Sequence, residues 1–536
     1  MKQDKKTVKK LNVFNVTLVI KQFMLQNPWT ILIGVVTIFI HLVALGQIPY
    51  GLHVDEIATG YDAWCISHFG VDRYLKSFPI YFINFGGGQN SLYCYLCVVF
   101  IKLFGFSTFT VRLPAFLSAC LLVIYGYQYT WKKWHNKNVC LMFLVLYAML
   151  PIFTMSARFG LESYLMLPFS TIFLLCCLSA IEKPTYKRFL FCGISGGLVL
   201  YTYALSYIVL PIFLVFLMIY LLFIKKIQFK YAIAFIIPLI IMGMPLVLVQ
   251  LVNRYDLNEF KIGIFTITKL LSYRSSEITF SNLFNNIKML TKCILGYDWL
   301  PYNSVKAYGN VHWISIPFIL IGVIQAIKET IQSIMKKNFD PTVIILFWAL
   351  AEFIMGCLLG GNGPNTNKMN GIFFCVLYFL IQGIISIITV LGRWKRMFLI
   401  ILGTVYIFCT ISFLKYYFCE YKEETYPQHL FATQFDDVLD YLNGLDMKIT
   451  SRTTYIGNMK EAYIYYLGST LISPYEYNID ETGKSSYENY IFKLPDEIDL
   501  YSNYIVRKSE NSFIEQMDAL SFEKVSFDEY YLYYMK

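Results

Sequence analysis

Apolar residues run almost unbroken from Trp29 to Gly46 in "WTILIGVVTIFIHLVALG", broken only by Thr30, Thr37 and His41. Such a run, about 18 residues long, is enough as a helix to cross roughly 30 Å of hydrocarbon. Similar runs follow at about 110 to 130, 139 to 157, 161 to 181, 188 to 206, 208 to 224, 231 to 252, 312 to 327, 342 to 360, 370 to 391 and 397 to 416. With the first they predict about 11 transmembrane helices. A basic leader, "KQDKKTVKKL", precedes the first run without a small-residue cleavage site, so that run is read as a retained helix and not a signal peptide. Beyond Tyr417 the pattern changes. "FDDVLDYLNGL" and "KEAYIYYLGS" have helical spacing, while "KITSRTTYIG", "NYIVRK" and "YYLYYMK" read as strands. Residues 1–416 are therefore expected to form a multispan region, and 417–536 a small α/β soluble domain.

Composition supports this division. The chain is 57 % hydrophobic and only 15 % charged, which excludes an ordinary soluble protein of 536 residues. Residues 417–536 hold 21 of the 35 acids and 10 of the 45 bases. The basic connectors "WKKWHNK", "EKPTYKR", "KKIQFK", "KETIQSIMKKNFD" and "GRWKR" are assigned to the cytoplasm together with the N-terminus. The parity of spans then holds if the first outer loop, 47–109, crosses no membrane. Its apolar stretch "NSLYCYLCVVFIKLFG" is too short and interrupted for a span and suits a helix lying in the interface. This first loop, the large outer loop 253–311 and the C-terminal domain all fall on the extracytoplasmic side of a multi-pass protein of the cytoplasmic membrane. Most of the 13 Cys lie inside apolar runs and read as small hydrophobes, and the Cys94 and Cys97 pair lacks a second pair for zinc.

Within this frame three acids stand apart. Asp55 and Glu56 in "PYGLHVDEIATGYDAW", and Glu162 in "SARFGLESYLMLPF", sit at span ends beside apolar sequence. Arg158, four residues before Glu162, can form a local ion pair with it; alternatively, Glu162 and Asp55 face one cavity. Two such acids can hold a divalent cation, Mg or Mn, or one can take a proton from an attacking hydroxyl. Either role suits group transfer from a phosphorylated donor, whose leaving phosphate needs cations or backbone amides. Arg158, Arg112 and Lys368 are placed for this, as are the glycine clusters "NFGGGQN" and "GGNGPN". Gln89 and Asn90 can hydrogen-bond a sugar or phosphate. Tyr201, Tyr203 and Tyr207 of "YTYALSY" are candidates to line a sugar pocket.

The order of these features, with the acidic pair after the first span, the "LFGFSTFTVRLP" run ending at Pro114 and the "SARFGLE" link, resembles bacterial membrane glycosyltransferases of the GT-C superfamily. Protein O-mannosyltransferases and the lipid A aminoarabinose transferase group are the nearest likenesses, best over about residues 25 to 210. The resemblance implies sugar transfer, with inversion, from a polyprenyl-phosphate carrier on the outer face of the membrane to a glycan, lipid or protein acceptor. It assigns Asp55 as base or metal support, Glu56 as its assistant, Glu162 as the second pocket acid and Arg158 as the basic residue near the donor phosphate. Lys368 and Asn370 stand where relatives often carry Arg or His. A Lys-Pro pair of the aminoarabinose type is replaced here by "GGGQNSLY", so sugar specificity does not carry over. A secondary transporter or lipid flippase is the rival reading, and its best support is Glu352 within an apolar run. No G-x-x-x-x-G-K-[ST] motif occurs, and no nucleic-acid partner is expected.

Overall fold

A computed structural model describes residues 27–226, 229–270, 279–298, 300, 303–421, 431–432, 434–457, 459, 461–477 and 485–536. The basic leader lies outside the described residues. Each apolar run falls on a helix: α1 (Pro28–Leu42), then, after the first loop, α4 (Thr108–Trp134), α5 (Lys137–Met149), α6 (Met166–Glu182), α7 (Tyr186–Leu200), α8 (Ser206–Phe223), α9 (Ala232–Arg254), α10 (Ile316–Met335), α11 (Thr342–Cys357), α12 (Phe373–Leu391) and α13 (Lys395–Cys419). The first loop contributes α2 (Val54–Phe69) and α3 (Ser91–Phe104). Among the described residues, six helical stretches are long and apolar enough to cross a membrane, the last of them, Asn370–Cys419, holding both α12 and α13. The protein is thus a multi-pass membrane protein.

The bundle core gathers around fully buried Trp348, with Phe173 and Phe213 packed edge-on against it. Ile240, Ile241, Ile324 and Phe408 are instead exposed on the outside, as lipid-facing residues are. α10 and α12 touch backbone to backbone. A Cβ on Gly322 would lie 1.8 Å from the Phe379 carbonyl oxygen, and one on Gly383 would lie 1.9 Å from that of Phe318. Small residues permit this approach where apolar helices gain nothing by leaving lipid. All 13 Cys are free, and Cys94 and Cys97 are buried in α3.

The first loop opens with β1 (Leu52–His53) and α2, continues through a hairpin of β2 (Tyr81–Asn84) and β3 (Gly87–Asn90), and ends in α3. The C-terminal domain starts with β4 (Phe431–Ala432) and contains β5 (Thr454–Ile456), β6 (Ser486–Tyr487), β7 (Tyr490–Ile491), β8 (Asn503–Arg507), β9 (Glu523–Ser526) and β10 (Tyr530–Tyr534). Its six-stranded sheet runs β9-β10-β8-β5-β7-β6, with β5 parallel to both β7 and β8 and the outer pairs antiparallel. The helix Ala462–Thr470, α14, packs against α2.

This domain does not stand apart from the membrane region. β1 pairs antiparallel with β4. The Tyr61 hydroxyl donates to the Ile472 carbonyl at 2.6 Å. Ile57, Ala58 and Tyr93 of the first loop share one hydrophobic cluster with Ile464, Leu467 and Ile505. The first loop is therefore sandwiched between bundle and sheet, and that arrangement positions the site.

Candidate active site

His53 leaves an extended segment and caps α2. Its Nδ1 accepts from the Asp55 N–H at 3.2 Å, while Glu56 Oε2 accepts from the His53 N–H at 3.0 Å. This reciprocal capping box satisfies two donors that a helix start leaves open, and two acids in the first turn suit the helix dipole. Consecutive helical residues point about 100° apart, so the adjacent carboxylates diverge. Asp55 faces a cavity; Glu56 turns into the protein.

Glu56 is fully buried. Arg112 holds it with two bonds, Nε to Oε1 at 2.8 Å and Nη2 to Oε2 at 2.9 Å, and the Gly160 N–H donates to Oε1 at 2.7 Å. Arg112 also donates to the carbonyls of Leu45, Pro49 and Gly51. Arg158 donates to those of Ile40, His41, Ala44 and Ile48, and its guanidinium lies 4.9 Å from the Phe418 ring centre. These carbonyls belong to the end of α1 and the turns after it, where helical partners run out and burial excludes water. The expectations for Glu56, Arg112 and Arg158 are corrected accordingly. The three lie behind the cavity wall and fix segment 40–56, and Arg158 pairs with main-chain oxygens, not with Glu162.

The cavity measures about 700 Å³, within the range of small-molecule sites. Asp55, Asn84, Gln89, Glu162, Tyr203, Tyr207, Arg254, Lys368 and Glu461 are among its lining residues. Asp55 Oδ1 accepts from Asn84 Nδ2 at 3.1 Å, and its Oδ2 lies 3.5 Å from His53 Nδ1. Glu162 opens a 3-10 turn, Glu162–Leu165, and its buried Oε2 has no hydrogen-bond partner among the described residues. Gln89 donates to Thr59 Oγ1 at 2.8 Å, and Lys368 Nζ to the Gly363 carbonyl at 3.2 Å.

Three other expected pocket residues sit outside the lining. The Asn90 carboxamide accepts from the N–H groups of Tyr203 and Ala204 and meets the Tyr207 hydroxyl, so it ties the hairpin to the turn after α7. Tyr201 donates to the Met242 carbonyl at 2.8 Å. Asn370 is fully buried. Glu352, the rival reading's main support, is also fully buried, against Gly371, and is not among the lining residues.

The sequence reading missed Arg254, Asn84 and Glu461. Arg254 closes α9 at the edge of the large loop, and a lone base at the end of a long apolar run was the available signal. Glu461 comes from the C-terminal domain, and only tertiary docking brings it here. Among the described residues no group of three or more His, Cys, Asp or Glu is placed to hold a metal ion. Asp55 and Glu162 do offer two carboxylates, one with an unpartnered oxygen, which suits Mg or Mn when phosphate oxygens and water complete the shell.

Residues 91–247 match the model of the dolichyl-phosphate-mannose-protein mannosyltransferase family. Among solved structures, ArnT from Cupriavidus metallidurans bound to undecaprenyl phosphate superposes with a TM-score of 0.56 at 12 % identity, over 95 % of this chain and 98 % of that one. Its apo state gives 0.53 with the same identity and coverage. The apo oligosaccharyltransferase of Archaeoglobus fulgidus reaches 0.47 at 12 % identity, over 83 % of this chain and 64 % of that one. No curated protein sequence matches. The chain therefore shares the fold of ArnT, and the family match spans residues 91–247, from α3 into α9.

Proposed function

We propose that the protein transfers a hexose or pentose from a polyprenyl-phosphate-linked donor to a hydroxyl of a glycan, lipid or protein acceptor, with inversion. The reaction takes place on the outer face of the cytoplasmic membrane, with the N-terminus cytoplasmic and the C-terminal domain extracytoplasmic. One observation carries the proposal: a single cavity between the helical bundle and the C-terminal domain is lined by Asp55 and Glu162 as well as by Lys368 and Arg254. A lipid phosphate of the kind bound by ArnT suits this setting, because its chain can stay in the bilayer while its head group enters the cavity.

Asp55 takes the proton of the acceptor hydroxyl as the oxygen attacks the anomeric carbon from the side opposite the phosphate. The bond from that carbon to the phosphate oxygen breaks, and polyprenyl phosphate leaves. Lys368 and Arg254 stabilise the charge that collects on it. Asp55 and Glu162 are the residues that would hold a divalent cation, which would supply further positive charge to the leaving phosphate. Gln89 and Tyr203 orient sugar hydroxyls.

The test is consumption of a panel of polyprenyl-phosphate sugars by purified protein in detergent, with and without chelator. Asp55→Asn is expected to abolish transfer while expression and melting temperature stay at wild-type values. Full activity in that variant removes Asp55 from the mechanism. Thiol labelling of a cysteine placed at residue 55 checks the side of the membrane, and cytosolic labelling refutes the outer-face reading.

A further inference from the structure

Behind the cavity wall, Arg73 is buried with 1 % of its surface exposed. Its Nη2 donates to the Ile83 carbonyl at 3.1 Å and to Asn84 Oδ1 at 2.8 Å. Asn84 Nδ2 in turn donates to Asp55 Oδ1 at 3.1 Å. A carboxamide has an acceptor end and a donor end in one plane. A guanidinium has only donors, so it fixes the oxygen of Asn84 toward itself and thereby the NH2 toward Asp55. The reversed amide would set its oxygen against the carboxylate and its NH2 against the guanidinium.

Arg73 is itself held in place. Its N–H donates to Asp62 Oδ1 at 3.1 Å, its Nε lies 3.8 Å from the same oxygen, and its guanidinium sits 5.2 Å and 5.4 Å from the ring centres of Tyr74 and Phe85. Nε and Nη1 nevertheless make no hydrogen bond among the described residues. A buried guanidinium with incomplete partners is a costly way to fill space, and an apolar side chain would pack there at lower cost. Its contacts with β2 give the cost a purpose.

We infer that Arg73 is a positioning residue for Asp55, acting through Asn84. The relay pins Oδ1 and leaves Oδ2 turned to the incoming hydroxyl. This rests on the reading of Asp55 as the base.

The experiment compares kcat and donor KM for Asn84→Ala, Arg73→Lys and the double variant, with Asp55→Asn alongside, using the polyprenyl-phosphate sugar that the wild-type protein consumes. Asn84→Ala is expected to lower kcat about 10- to 100-fold, as a slightly misplaced group does, with KM within about twofold. Arg73→Lys keeps the charge but loses the planar fork and should lower kcat about 10-fold. The double variant should fall no further than Asn84→Ala alone, because both changes break one relay. Wild-type kcat in Asn84→Ala while Asp55→Asn is inactive overturns the inference and leaves the proposed base standing. Multiplying losses in the double variant overturn it too. Should Arg73→Lys fail to fold, the isosteric Asn84→Asp decides. An anion facing Asp55 should cut kcat at least as far as Asn84→Ala does, and wild-type kcat there refutes the relay. Full transfer by Asp55→Asn overturns the base assignment, and the inference falls with it.

Discussion

Replacing Arg112 with Met tests whether the buried acid of the Asp55 and Glu56 pair is structural. The guanidinium makes two bonds to Glu56 and three to the carbonyls of Leu45, Pro49 and Gly51. Removing it leaves a fully buried carboxylate with only the N–H donors of His53 and Gly160, and breaking such a pair costs about 3–5 kcal/mol. Each orphaned carbonyl adds about 1 kcal/mol. The sum, about 6–8 kcal/mol, is comparable to the whole stability of many domains, about 5–15 kcal/mol. Arg112→Met is therefore expected to accumulate poorly and to melt far below wild type in detergent. Glu56→Gln should also destabilise, by about 3–5 kcal/mol, because the Arg112 charge is then unpaired. The double variant should recover part of the loss, since neither charge remains, and fluorescence-detected thermal melting of all four proteins measures the coupling. Wild-type melting in Glu56→Gln together with lost transfer would refute this reasoning and return Glu56 to the chemistry.

Lys368→Ala and Arg254→Ala should each raise the donor KM about 10-fold, the cost of about one charge-assisted contact to phosphate, and KM values at the wild-type level would separate these residues from the donor. Gly468→Ala places a Cβ 2.4 Å from an Ile57 side-chain carbon, so the C-terminal domain must shift on α2, at about 1–3 kcal/mol; protease nicking between the two regions should increase, and an unchanged digestion pattern contradicts the docking. Burial, reinforced by the Asp62 charge, pushes the Asp72 carboxyl up to about 8. An unfolded Asp titrates near ~3.9, so between these values the folded protein keeps a proton that the unfolded chain releases, and stability falls as pH rises through that window. Asp72→Asn keeps an acceptor for the Tyr74 and Lys76 N–H groups and should flatten the decline in melting temperature from about pH 5 to pH 8; an unchanged slope refutes it.

The apolar runs by themselves determined the helices, because lipid forces every backbone polar group to be satisfied within its own segment, and length and hydropathy suffice to reveal that. The shift from basic, apolar sequence to acidic, strand-forming sequence near Tyr417 likewise marked the second fold type. Asp55, Glu162, Lys368, Gln89 and Tyr203 were legible as cavity residues because each lies at the end of an element on the same face. Only the tertiary structure decided the rest. Glu56 differs from Asp55 by one position, and about 100° of helical rotation sends it to Arg112 and not to the cavity. Arg158 and Arg112 looked like phosphate anchors because a guanidinium suits phosphate and a main-chain carbonyl alike, and the choice depends on which one the fold brings near. Glu461 and Asn84 reach the site through docking of the C-terminal domain and through a hairpin register, contacts across the chain that no local periodicity records.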